Sequence, residues 1–176
     1  MTTACVNFKV EVPLNLDDFE VEWVFGLTTP QLRADLVSFW LESGALQNPY
    51  EGWRRSHEVA CIARDKQHAI VSVSSVYCNI LNMDNCTYWM YRTFVRPDSR
   101  FAGLAPRLFE TVFSQLQHIY SNEKFSPQGV IVVAENEKLK RRSGLRIIQA
   151  VGLTHCGQTD QGQDVWVRKF AQQGLK

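Results

Sequence analysis

Apolar and polar residues alternate strictly over Asn7–Val12 (Asn-Phe-Lys-Val-Glu-Val), the period of a half-buried strand, and Glu20–Phe25 reads as a second extended piece. The pattern then changes to helical spacing. Leu32, Leu36, Phe39 and Trp40 share one face, Thr29 can cap the helix, Pro30 takes its first position and Gly44 stops it. Ala45–Arg55 carries Asn48-Pro49 and Gly52 and predicts a loop. Strands are predicted over Glu58–Arg64 and Ala69–Leu81, joined by the polar turn Asp65–His68. A third, Thr87–Val95, follows the turn Asn82–Asn85 and is rich in aromatic and β-branched residues. Leu104–Tyr120 repeats apolar residues at Leu108, Val112, Leu116 and Ile119 and predicts a long helix. Gly129–Ala134 is wholly apolar, as in a strand buried on both faces. Leu139–Val151 is predicted helical up to Gly152, and Asp164–Phe170 supplies the last strand.

This order predicts an α/β (α+β) fold: one mixed, mostly antiparallel sheet flanked by helices, with residues 1–176 forming a single domain. A chain of 176 residues, 45% hydrophobic and 21% charged, can bury one good core. Its net charge of +1 gives no overall field that would recruit nucleic acid or an anionic membrane. Cys5, Cys61, Cys78, Cys86 and Cys156 are odd in number and contain no Cys-x-x-Cys pair, which argues against a zinc site or a disulfide framework. The first residues lack a basic run followed by an apolar core, and no apolar stretch is long enough to cross a bilayer. The expectation is a cytoplasmic protein with reduced thiols and no metal.

The segment richest in chemistry runs from Val95 to Leu108, leaving a strand and entering an amphipathic helix. Gly103 and Ala105 lack bulk where a ligand would approach the backbone. Pro106 falls in the first helical turn, whose N–H groups have no partner within the helix. Those donors, the positive end of the helix dipole and Arg100 together make a site for a diphosphate. Taken alone, Arg-x-x-Gly-x-Ala could also be an ordinary strand-to-helix turn.

In this segment the chain resembles the GNAT superfamily of N-acetyltransferases. Val95, Pro97, Arg100, Gly103, Ala105 and Leu108 match the family pattern in register, and Gly129–Ala134, Asn136 and Gly152-Leu153 fill the places of its second region. The resemblance implies acetyl-CoA (coenzyme A) as cosubstrate, with the backbone of Thr93, Phe94 and Val95 pairing with the pantetheine arm. The loop Arg100, Phe101, Ala102, Gly103, Leu104 and Ala105 would hold the pyrophosphate, and Asn136 would reach the pantetheine or the acceptor. A small-molecule or peptide amine would attack the thioester directly, its oxyanion stabilised by a strand N–H such as that of Val95. A homodimer is compatible with this reading.

Many family members carry a tyrosine on the helix after the asparagine, and none occurs between Asn136 and Gly152 here. Tyr91 is the substitute donor, and Glu58, Asp84 and Glu135 are the acidic candidates for a base; for each, a structural or solvated role competes. His155 and Cys156 are adjacent, so on a strand they point to opposite faces and form no dyad. Lys138, Lys140, Arg141 and Arg142 form either a solvated helix face or a contact for the ribose 3′-phosphate. Two alternatives stand beside the enzyme: a non-catalytic CoA-binding sensor of the same fold, and a nucleic-acid binder using the basic run, which the near-neutral charge disfavours. The residues that choose the acceptor are expected in Ala45–Arg55, Asn82–Asn85 and His155–Gln163.

Overall fold

The computed structural model describes residues 15–81, 84–101, 103–120, 127–134 and 142–171. The expectations on Asn7–Val12, Ala102, Glu135, Asn136, Lys138, Lys140 and Arg141 lie outside them. Strands β1 (Glu20–Trp23), β2 (Val59–Arg64), β3 (Ile70–Leu81), β4 (Cys86–Val95), β5 (Gly129–Val133), β6 (Thr154–Gln158) and β7 (Asp164–Lys169) form a seven-stranded sheet in the order β1-β2-β3-β4-β5-β7-β6. All neighbours are antiparallel except β4 and β5.

Helix α1 (Pro30–Glu42) starts as the sequence dictates, with the Thr29 hydroxyl accepting the Leu32 N–H at 3.2 Å and Pro30 in the first turn. It packs Leu36, Phe39 and Trp40 with Val59, Ile62, Ile70 and Val73 on one face of the sheet. The expected loop Ala45–Arg55 instead contains α2 (Pro49–Ser56). Asn48 caps it through the Tyr50 N–H at 2.9 Å, and Gly52 lets its backbone lie against Val37. The Asn-Pro pair that reads as a turn is here a helix start.

Helix α3 (Leu104–Tyr120) covers the other face with Leu104, Leu108, Val112 and Leu116 fully buried, each contributing about 1.5–3 kcal/mol. Ile148 and Val151, from α4 (Arg142–Ala150) and the turn after it, join the same cluster. Strand β6 is an element that the sequence pattern does not predict, because His-Cys-Gly-Gln has neither alternation nor β-branching. It adds to the edge of the sheet beside β7, where Gly157 takes a φ of 143°.

Strand β3 outruns its neighbour. β2 pairs with it only from Ile70 to Ser75, the Val76 N–H bonding Glu58 O at 2.8 Å, whereas β4 accompanies it to Leu81. Among the described residues, the hairpin beyond Val76 therefore has β4 on one side only.

Candidate functional site

Strand parity decides which backbone groups of β4 face which neighbour. The Arg96 N–H donates to Val71 O at 2.8 Å, and the Ser72 hydroxyl donates to Phe94 O at 2.8 Å, so even-numbered residues turn their backbone toward β3. Thr87 O, of the other parity, accepts the Gln128 N–H at 2.8 Å just before β5. Thr87, Trp89, Tyr91, Thr93 and Val95 thus present their N–H and C=O groups to the β5 side.

β5 meets β4 at Trp89↔Val130, Met90↔Ile131 and Tyr91↔Val132, and the pairing stops there while β4 continues to Val95. Beyond that point β5 remains engaged with β7, through Val133↔Val165 and an Ala134 N–H bond to Asp164 O at 2.9 Å. Of the edge groups left facing the opening, Val95 O accepts Arg100 Nε at 3.0 Å. The Thr93 N–H and C=O and the Val95 N–H have no described partner. An extended ligand could pair with these groups as an added strand would. Phe94, expected among them, does not contribute: its backbone serves β3, and its ring packs edge-on against Phe39 at 5.9 Å.

The opening leads directly to the start of α3. The exposed Arg100 folds back along β4, its guanidinium 6.0 Å from the Phe94 ring. The Leu104 N–H reaches Phe101 O at 3.4 Å and the Arg107 N–H reaches Gly103 O at 3.2 Å; Pro106 has none, and the Ala105 N–H meets no acceptor among the described residues. A helix start that follows an arginine suits an anion.

The side chains of two loop residues are committed to packing. Phe101 stacks on Phe19 at 5.3 Å, and Leu104 is wholly buried in the core. At Gly103 an added Cβ would lie 3.2 Å from Leu16 and from the Phe101 ring, so the glycine admits the turn Leu16–Asp18 over the loop. Arg107 Nη1 fastens that turn by donating to Leu16 O at 3.0 Å.

The catalytic candidates are dispersed. Tyr91 faces α3, buried edge-on against Phe109, its hydroxyl 3.0 Å from Ser74 Oγ. Burial pushes that hydroxyl up to about 12, against the lowering pull of the hydrogen bonds from Ser74 and Thr93. A donor enclosed in this way cannot follow a leaving group into solvent, so Tyr91 is a packing residue. Tyr91→Phe should lower stability by about 1 kcal/mol through loss of the hydroxyl's bonding. Thermal unfolding checks this; a wild-type melting temperature would show the bond to be worthless.

Asp84 sits at the far end of β4, its carboxylate held low by the Tyr88 hydroxyl at 2.6 Å and, more weakly, by the Cys86 N–H at 3.1 Å. Glu58 stands where α2 meets β2 on the opposite sheet face from Tyr91. One oxygen accepts Arg54 Nη1 at 2.9 Å and the other Arg92 Nη2. With both oxygens engaged by guanidinium groups, Glu58 is a firm anchor for Arg92. Arg92 went unnoticed in the sequence, since nothing in its neighbourhood hints at a partner 34 residues away.

His155 and Cys156 do face opposite ways. The His155 ring lies against Trp166 at 5.1 Å and bonds Asp164 at 3.2 Å, whereas Cys156 Sγ donates to Val165 O at 3.3 Å. Both are on the edge strand, with β7 and β5 between them and the opening. Among the described residues no cluster of His, Cys, Asp or Glu could hold a metal ion, and no helix is long and apolar enough to cross a membrane.

No family model matches the sequence, and no curated protein matches it. Solved structures do match in shape. Phosphinothricin acetyltransferase of Sinorhizobium meliloti, a GNAT superfamily protein in complex with acetyl-CoA, superposes with a TM-score of 0.62 at 13% identity over 87% of this chain and 89% of its own. Ribosomal-protein-S5-alanine acetyltransferase of Vibrio fischeri gives 0.60 at 11% identity over 94% and 100%. YncA of Salmonella typhimurium, a putative acetyltransferase with acetyl-CoA, gives 0.59 at 9% over 90% and 97%. The chain has the fold of the GNAT acetyltransferases: a mixed sheet with one parallel pair, β4 and β5.

Proposed function

We propose that the chain, acting as one domain, is an acetyl-CoA-dependent N-acyltransferase that transfers an acetyl group to an amine by direct attack. The observation that carries this reading is the early end of β4–β5 pairing at Tyr91↔Val132, which leaves Thr93 and Val95 facing an opening just before Arg100 and the α3 start. Acetyl-CoA supplies a thioester, whose C–S bond gives way to an N–C bond as the thiol departs. The Thr93 and Val95 N–H groups hold the extended arm and stabilise charge on the carbonyl oxygen. Arg100, the Ala105 N–H and the α3 dipole hold the diphosphate. Asn136 remains a candidate contact. A thiol of pKa about 8.5 needs little help to leave near neutral pH, which accommodates the enclosed Tyr91.

Ligand at about a hundred times its dissociation constant adds roughly 2.7 kcal/mol. For a chain of this size that raises the melting temperature by roughly 5–10 °C. Thiol release on adding an amine should follow. No shift at millimolar acetyl-CoA would overturn the reading.

A second reading, a CoA-binding domain without catalysis, is favoured by the engagement of Glu58 with two arginines, which leaves no free base in the described site. Binding without thiol release to any amine would select it.

A further inference from the structure

Arg92 carries an unmet demand for a partner. Even parity puts its side chain on the sheet face of α1 and α2, while the next residue, Thr93, turns its backbone into the opening. The guanidinium is held from two sides: Glu58 takes Nη2, and the Tyr77 ring lies 4.5 Å from Cζ. Its Nε is buried and has no hydrogen-bond partner. The side chain is still 30% exposed, and the donor a ligand would meet is Nη1, which makes none of the bonds described, rather than the enclosed Nε.

The surrounding charges leave a surplus. Glu58 is shared between Arg54 and Arg92, and Glu51 pairs with Arg55 at 2.5 Å on the same helix α2. Among these described groups three cations face two anions. A fixed planar fork with a spare donor in a cationic setting suits a carboxylate.

We propose that the acceptor is an amine that also carries a carboxylate, bound by Arg92 so that the amine lies over the opening beside Thr93. Glu58 and Tyr77 act as positioning residues that aim the guanidinium. The assignment rests on the acetyl-transfer reading and adds the class of acceptor to it.

The test follows thiol release from acetyl-CoA with amino acids offered as free acids and as the corresponding carboxamides, with spermidine as a cationic comparison. We expect the acids to be preferred by about tenfold or more in kcat/KM, the scale of a hydrogen bond to a charged group. Arg92→Gln should erase the preference while acetyl-CoA still raises the melting temperature, and Glu58 keeps Arg54 as its partner. Arg92→Lys keeps the charge but not the fork, so it should retain part of the preference; it carries the comparison if the glutamine variant does not fold.

Carboxamides or spermidine used as well as the acids, or a preference that survives Arg92→Gln, would overturn the proposal. Acetylation of other amines with no acid acetylated would overturn the acceptor assignment alone. Failure to bind acetyl-CoA at all would overturn both readings together.

Discussion

Val95→Pro should leave the protein folded and weaken acetyl-CoA binding about tenfold or more, whereas Phe94→Pro, one residue earlier, should cripple the fold itself. The Val95 N–H faces the opening, so proline there removes a donor that no strand uses, and the C=O that holds Arg100 remains. One lost hydrogen bond to the ligand accounts for roughly that loss of affinity. The Phe94 N–H faces β3, and its removal leaves the Val73 carbonyl with only the long contact from the Thr93 hydroxyl at 3.4 Å, costing about 1 kcal/mol or more. Loss of the Phe94 ring from the cluster with Phe39 adds about 3 kcal/mol more. Circular dichroism, melting temperatures and acetyl-CoA titration of the two variants check the contrast. Wild-type affinity in Val95→Pro, or equal destabilisation of both, would show that the parity assignment does not describe the site.

Gly129→Ala should be strongly destabilising for a change that adds one methyl group. A Cβ at Gly129 would stand 2.3 Å from Arg168 O and 2.7 Å from Lys169 Cα, both backbone atoms of β7. Main chain in a paired strand cannot swing aside as a side-chain tip can, so β5 and β7 must separate. Arg168 spreads the disturbance, because its Nη1 bonds Glu110 at 2.7 Å and Val151 O at 3.0 Å, and its guanidinium lies 3.8 Å from the Phe113 ring. We expect a loss of about 3 kcal/mol, at the upper end for overpacking. At this chain length that lowers the melting temperature by roughly 10 °C. Because β5 forms one wall of the opening, protein that remains folded should also lose acetyl-CoA affinity. A melting temperature within a degree or two of wild type would refute the contact.

The periodic elements were legible in the sequence because their burial is one-sided. α3 spans Leu104–Tyr120 as its apolar spacing predicts, and Thr29-Pro30 marks the start of α1. Elements fixed by contacts elsewhere were not legible. α2 depends on Gly52 meeting Val37, and β6 is held by β7 rather than by its own composition. At the candidate site the loop before α3 was visible, because backbone chemistry there is local. Phe94 was misplaced because register and parity, which decide where its N–H points, depend on β3. The Arg92–Glu58 pair joins two strands and a helix end, and only the folded sheet brings it together.

The hairpin that projects beyond β2 presents an outer edge to solvent at Tyr77–Leu81, with Ile80 56% exposed. A bare edge with an apolar side chain is a template on which another chain could stack, the first step of sheet growth and precipitation. Here Asn79 Oδ1 accepts the Ile80 N–H at 2.9 Å, so a donor of that edge is already capped by its own neighbour. An incoming strand would have to displace this short-range bond before gaining its own. Asn79 thus blunts one donor of the edge on which such growth would start.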